Sequence, residues 1–144
     1  CLLVTPYYNK PTQEGLYRHF RAVAEAVPIP QILYNVPGRT GQNLGAELTL
    51  RLAQIPGVVA VKEASADLEQ IAAIIAGRPA GFVVLSGDDA LTLPTVALGA
   101  EGVISVVANE APAEMAAIVA AARAGELDRA QLEPLLRELV SDNG

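Results

Sequence analysis

The chain has 144 residues, 51% of them hydrophobic, with sixteen Asp and Glu against ten Lys and Arg, a net charge of −6; this is enough chain for one folded core and excludes disorder and collagen-like sequence. No apolar run approaches the roughly 18 residues of a membrane-spanning helix, and an acidic chain without a Lys/Arg cluster lacks the electrostatic footprint of a nucleic-acid binder, so neither membrane nor nucleic acid is expected as a partner. One cysteine, Cys1, cannot form an internal disulfide and favours a reducing, cytoplasmic setting.

The first residues, Cys1-Leu2-Leu3-Val4, already read as a core strand, and the one methionine is Met115; both are expected of a chain cut or processed ahead of residue 1. From there, short aliphatic runs alternate with amphipathic stretches, the pattern of parallel βα units. The runs are Leu2 to Thr5, Gln31 to Tyr34, Val58 to Lys62, Phe82 to Ser86 and Gly102 to Val107, with starts 29, 27, 24 and 20 residues apart. The first helix is predicted between Thr12 and Val27, with Leu16, Phe20, Val23 and Val27 on one face, and Pro28 helps to end it. A second is predicted over Ala46 to Gln54, with Leu48, Leu52 and Ile55 inward, and a third over Ala66 to Ala76, with Leu68, Ile71 and Ile75 inward. Gly57 and Gly77 near their ends suit left-handed caps. The fourth, Ala90 to Leu98, tolerates Pro94 only in or near its first turn. The fifth starts at Pro112, a favoured first position, and runs to Ala124 before Gly125. A sixth, Leu127 to Val140, follows without an intervening strand. Nothing reads as a linker or a second domain.

Each apolar run finishes in polar or aromatic residues, and in parallel α/β folds the loops after strand C-termini build the active site. Lys62 closes Val58-Val59-Ala60-Val61. It either snorkels to solvent or pairs with Glu63, or it is a desolvated amine free to attack a carbonyl and form a Schiff base. Tyr34 closes the neighbouring run and is either packing or a proton carrier in imine chemistry. Arg39, in Asn35-Val36-Pro37-Gly38-Arg39-Thr40-Gly41, is either an exposed loop residue or a bidentate grip for a carboxylate. Together the three form a constellation more specific than any member.

Other candidates are weaker. Ser86-Gly87-Asp88-Asp89 holds two adjacent acids without a His or third carboxylate, and reads as a loop and helix N-cap rather than a metal site. His19, between Arg18 and Arg21, reads as a solvated side chain. No phosphate-cradling glycine loop is present, so no nucleotide cofactor is expected.

Thr5-Pro6-Tyr7-Tyr8-Asn9, Ile32-Leu33-Tyr34-Asn35-Val36-Pro37-Gly38-Arg39-Thr40-Gly41, Val61-Lys62-Glu63-Ala64, Leu85-Ser86-Gly87-Asp88-Asp89 and Gly102-Val103-Ile104-Ser105 closely resemble the dihydrodipicolinate synthase family, in order and at its spacing, across nearly the whole chain. The resemblance implies a (β/α)₈ TIM barrel, of which residues 1–144 are a partial catalytic domain covering strands four to eight. It implies a lyase of lysine and diaminopimelate synthesis that condenses pyruvate with aspartate 4-semialdehyde and needs no cofactor or metal. By the same resemblance Lys62 matches the Schiff-base lysine and Tyr34 the proton-relay tyrosine. Tyr8 matches a tyrosine inserted across a dimer interface, and Tyr7 belongs to that interface. Arg39 matches the arginine that holds the semialdehyde carboxylate, and Gly87 and Ile104 match positions lining the pyruvate site. The family is usually a homotetramer built from dimers. N-acetylneuraminate lyases and 2-keto-3-deoxy-sugar acid aldolases share the lysine and tyrosine but generally lack the arginine, so Arg39 favours the synthase. A noncatalytic piece that binds a keto acid or another chain is the alternative from a different class. The family's Gly-Thr-Thr-Gly-Glu segment, its first three strands and its last helices are absent. A five-strand piece of a barrel exposes unpaired edges, so these residues alone are expected to be poorly soluble and inactive.

Overall fold

The computed structural model describes residues 1–126. The strands are β1 (Leu2–Val4), β2 (Gln31–Asn35), β3 (Val58–Glu63), β4 (Val83–Ser86) and β5 (Gly102–Val103); the helices are α1 (Gln13–Ala26), α2 (Pro37–Thr40), α3 (Ala46–Leu52), α4 (Leu68–Gly77), α5 (Thr92–Ala97) and α6 (Pro112–Ala124), with a 3₁₀ turn at Val107–Asn109. The strands lie in sequential order in one sheet, every neighbouring pair parallel. Such an order never reverses, unlike the doubly wound α/β sheets, and it sends each connection over the same face.

That face is the core. Leu16 and Phe20 of α1, Leu48 and Leu52 of α3, and Ile74 of α4 pack on Leu33, Val61 and Val84 of the sheet. Each such side chain taken from water contributes about 1.5–3 kcal/mol. On the opposite face Leu2 and Val4 stay 44% and 38% exposed. A second cluster, Val107, Met115 and Ile118, seats α6 beside α5 and the 3₁₀ turn.

Most boundaries fall where local chemistry puts them. Thr12 caps α1, its hydroxyl accepting from the Gly15 N–H at 3.2 Å; Pro112 opens α6 and Gly125, at φ 73°, closes it. Several expectations are corrected. Along α1 the buried stripe ends at Phe20, Val23 is half-buried, and Val27 is exposed beyond the helix. The third predicted helix, α4, starts at Leu68 instead of Ala66, because Ala66 takes φ 60° and the Asp67 carboxylate caps the Gln70 N–H at 3.0 Å. Leu68 is exposed; Ile71 and Ile74 face inward. Gly77 is the last helical residue and not a left-handed cap; a Cβ there would stand 2.7 Å from Leu50 Cδ1. Pro37 to Thr40, expected as loop, is one turn of helix with Pro37 at its start and Gly41 (φ 65°) at its end. The last run pairs only over Gly102–Val103. Asp89 Oδ2 accepts the Val106 and Val107 N–H groups, and Ser105 Oγ accepts that of Ala108, which turns the chain into the 3₁₀ turn. The helix predicted over Leu127–Val140 lies outside the described residues. Among the described residues no helix is long and apolar enough to cross a membrane.

Candidate active site

Tyr34 and Lys62 are cross-strand partners at the C-terminal ends of β2 and β3, so their side chains share the face away from the helices. Lys62 is only 8% exposed, and its Nζ lies over the Tyr34 ring, 4.4 Å from the centroid, a cation–π distance. Lys62 therefore does not snorkel, and it makes no ion pair with Glu63 among the described residues. Alternation along β3 sends Glu63 to the helix side instead.

Gly87, which follows β4, crowds the lysine from its other side. A Cβ there would lie 3.0 Å from Lys62 Cε, 3.1 Å from its Cγ and 2.7 Å from Ala64 Cβ. The backbone ladders run one step past the strands, with the Gly87 N–H donating to Glu63 O at 2.8 Å and the Ala64 N–H to Asn35 O at 2.8 Å. They hold these strand ends side by side.

Arg39 sits exposed on the single turn α2 and shares an open cavity of about 550 Å³ with Leu2, Val4, Tyr7, Tyr34, Val36 and Thr40. Tyr34 is common to this cavity and to the lysine. Ile104 lies one residue beyond β5, half-buried, its N–H donating to Ser86 O at 2.9 Å. Tyr8 is 95% exposed and Tyr7 63%; within the chain Tyr7 reaches the Arg39 cavity and Tyr8 does not.

The acids after β4 organise loops. Asp88 Oδ1 accepts from the Ala90 and Leu91 N–H groups, ahead of α5 and not at its N-cap, which is Leu91. Asp89 ties this loop to the one after β5. Among the described residues no three His, Cys, Asp or Glu side chains converge as metal ligands. His19 is exposed, edge-on to Phe20 at 5.2 Å.

A buried polar cluster behind the site was not singled out from the sequence. Asn35 Nδ2 donates to Glu63 Oε1 and Oε2 at 3.0 and 3.1 Å, the Ser65 N–H to Oε1 at 2.8 Å, and Gln70 Nε2 to Oε2 at 3.0 Å. Burial holds the Glu63 carboxyl above the usual carboxylate range, against the lowering effect of these bonds. The signal for it was period two: Asn35 and Glu63 each follow a site residue and so share the opposite face.

Polar side chains gathered at the carboxyl ends of a sequentially wound parallel sheet define an α/β protein of the class that builds its active sites there. Within that class the chain belongs to the dihydrodipicolinate synthetase family, whose profile matches residues 1–140. It is 54% identical over 143 residues to the 4-hydroxy-tetrahydrodipicolinate synthase of Moorella thermoacetica, covering 96% of this chain and 49% of that protein. It is 59% identical over 139 residues to that of Methylococcus capsulatus, covering 96% and 47%. Among solved structures it is similar to dihydrodipicolinate synthase from Aquifex aeolicus, with a TM-score of 0.89 and 44% identity over 97% of this chain and 47% of that one. It is also similar to the chloride-inhibited enzyme from Acinetobacter baumannii complexed with pyruvate, with a TM-score of 0.86 and 50% identity over 94% and 46%. The chain thus spans about half the length of the relatives it matches.

Proposed function

We propose that this chain carries the Schiff-base machinery of a 4-hydroxy-tetrahydrodipicolinate synthase, which condenses pyruvate with aspartate 4-semialdehyde. The observation that carries the reading is Lys62: an amine buried at a strand's C-terminal end with its Nζ 4.4 Å from the Tyr34 ring centroid, in a member of this family.

The Lys62 amine attacks the pyruvate ketone carbon, and the carbinolamine hydroxyl, protonated by Tyr34, leaves as water to give an iminium. The iminium draws electrons from the methyl group, which loses a proton to become an enamine. The enamine carbon attacks the semialdehyde's aldehyde carbon, whose oxygen becomes a hydroxyl. The substrate's own amine then adds to the iminium carbon and Lys62 leaves. Tyr34, beside the amine, carries protons in these steps. Arg39, across the cavity it shares with Tyr34, grips the semialdehyde carboxylate, while Gly87 and Ile104 border the pyruvate. The exposure of Tyr7 and Tyr8 suits a contact with a second copy in a homo-oligomer, where Tyr8 joins the relay across the interface. The sheet face bearing Leu2, Val4, Tyr34 and Lys62 is the inner wall of a (β/α)₈ barrel, to which residues 1–144 contribute strands four to eight. Closure would bury that face and remove the strand edges.

Borohydride trapping tests the reading. Full-length polypeptide carrying these residues, incubated with pyruvate and reduced, is expected to bear a reduced pyruvyl adduct at Lys62 by peptide mass spectrometry. No adduct in folded protein would overturn it. Arg39→Ala is expected to raise the semialdehyde KM roughly 10- to 100-fold, the worth of a charged hydrogen-bonded pair of about 1.5–3 kcal/mol. Imine formation should stay within about twofold by the same reasoning. Preferred turnover of sialic acid or a deoxy-sugar acid would move the chain to a related aldolase.

A further inference from the structure

We infer that Glu63, acting through Asn35 and Gln70, is a positioning residue that fixes Tyr34 against Lys62 from the far side of the sheet. The inference rests on the Schiff-base reading above and adds a device that sets its geometry.

Glu63 is 1% exposed and Asn35 is fully buried. They are register partners, as Tyr34 and Lys62 are one step earlier. The hydrogen bonds from Asn35 Nδ2 to both carboxylate oxygens, 3.0 and 3.1 Å, therefore clasp the same two strand ends whose other face holds the reacting groups. The clasp is braced on three sides. Asn35 Oδ1 accepts the Leu44 N–H at 2.8 Å, which ties in the loop before α3. Gln70 of α4 donates to Glu63 Oε2 at 3.0 Å and accepts from Asn43 Nδ2 at 2.8 Å. The Ser65 N–H donates to Glu63 Oε1 at 2.8 Å, within the turn where Ala66 is held at φ 60°. All the partners of the carboxylate are neutral donors, so the group orients its neighbours by direction and not by pairing with a cation.

The backbone ladder between β2 and β3 stops at the Ala64 N–H to Asn35 O bond, one residue past Glu63, so no ladder bond lies beyond it to restrain these strand ends. A catalytic pair needs placement to within about half an ångström, and a misplacement of about 1 Å can cost on the order of 100-fold in rate. A rigid carboxylate–amide clasp directly behind the pair supplies that restraint.

The test uses the full-length polypeptide and measures two quantities separately: the amount of Lys62 trappable with pyruvate and borohydride at saturation, and the rate constant with which the trapped species forms. Glu63→Gln puts an amide where the Gln70 amide donates, so the two repel. The inference predicts a rate constant for imine formation 10- to 100-fold lower, in line with the misplacement scale, with the trappable amount and the pyruvate KM changed less than about threefold. The double variant Glu63→Gln with Gln70→Glu exchanges donor and acceptor and is expected to recover most of the rate. If Glu63→Gln does not fold, Gln70→Leu, which removes one donor, carries the test with a smaller loss of about three- to tenfold. A reduced trappable amount with an unchanged rate constant, or no recovery in the folded double variant, would overturn the inference by showing a structural role alone. Failure of the unsubstituted protein to form any adduct would instead sink the Schiff-base reading itself.

Discussion

Gly87→Ala is the sharpest perturbation of the site, because a single methyl group tests both packing and the lysine's placement. Gly87 does not adopt a positive φ, so alanine meets no backbone penalty and its cost is steric. The new Cβ would lie 2.7 Å from Ala64 Cβ, where carbon atoms ordinarily approach to about 3.5–4.0 Å. Neither Cβ can rotate away, so the loops after β3 and β4 must part by about 1 Å. They are joined there by the 2.8 Å bond from the Gly87 N–H to Glu63 O. Overpacking of this kind costs about 1–3 kcal/mol, offset by about 0.4–1 kcal/mol from the stiffer unfolded chain, for a net loss centred on about 1.3 kcal/mol and reaching about 2.6 kcal/mol at most. The methyl would also stand 3.0 and 3.1 Å from Lys62 Cε and Cγ. On the Schiff-base role proposed for Lys62, pushing the amine off its place by about half an ångström is expected to slow pyruvate imine formation about tenfold, half the logarithmic penalty of a full ångström. The assays are urea unfolding of the full-length protein and the rate of borohydride trapping. Gly38→Ala is the control for stability, since a Cβ there meets nothing within 4 Å. An unmoved urea midpoint together with a trapping rate within twofold of the parent would refute the steric reasoning.

Two further outcomes follow from backbone and charge. Burial raises the folded-state pKa of Glu63 above the usual carboxylate value of 4.5, so between that value and the raised one the native state holds more protons than the unfolded state, and stability falls as pH rises through the window. Subtracting the Glu63→Gln urea midpoints from those of the parent, pH by pH, should isolate this falling slope; a difference that rises with pH would refute it. Ala66 sits at φ 60°, where a Cβ costs about 1–2 kcal/mol, and Ala66→Gly exchanges that strain for about 0.4–1 kcal/mol of unfolded-chain entropy. A gain of up to about 1.6 kcal/mol is expected in urea unfolding, and a clear loss would show that the turn needs the methyl group.

Several features were legible because they are local. Thr12, Pro112 and Gly125 mark helix ends with their own side chains and φ angles, and aliphatic runs interrupted by polar residues place Lys62 and Tyr34 at strand ends without knowledge of the rest of the chain. The short helix under Arg39 was not legible, since four residues carry no period. Its turn is closed by backbone bonds from Thr40 and Gly41 to Val36 and Pro37. The shortened β5 was hidden for another reason: the Asp89 carboxylate that captures its outgoing N–H groups lies 17 and 18 residues earlier.

The sequence by itself determined the βα repeat, the residue types at each strand end and the family, since these depend on pattern along the chain. The direction and spacing of the Tyr34 and Lys62 side chains depend on register between strands, and only the tertiary structure decided them. In β3 the pairing slips beside Gln31 and Ile32, so Val59 is exposed while Val58 and Val61, three apart, both reach the helix-side core. Strict alternation would not allow that. The slip precedes the pairing of Tyr34 with Lys62 and of Asn35 with Glu63. A face cannot be assigned from period two across such an irregularity, because one extra residue reverses it.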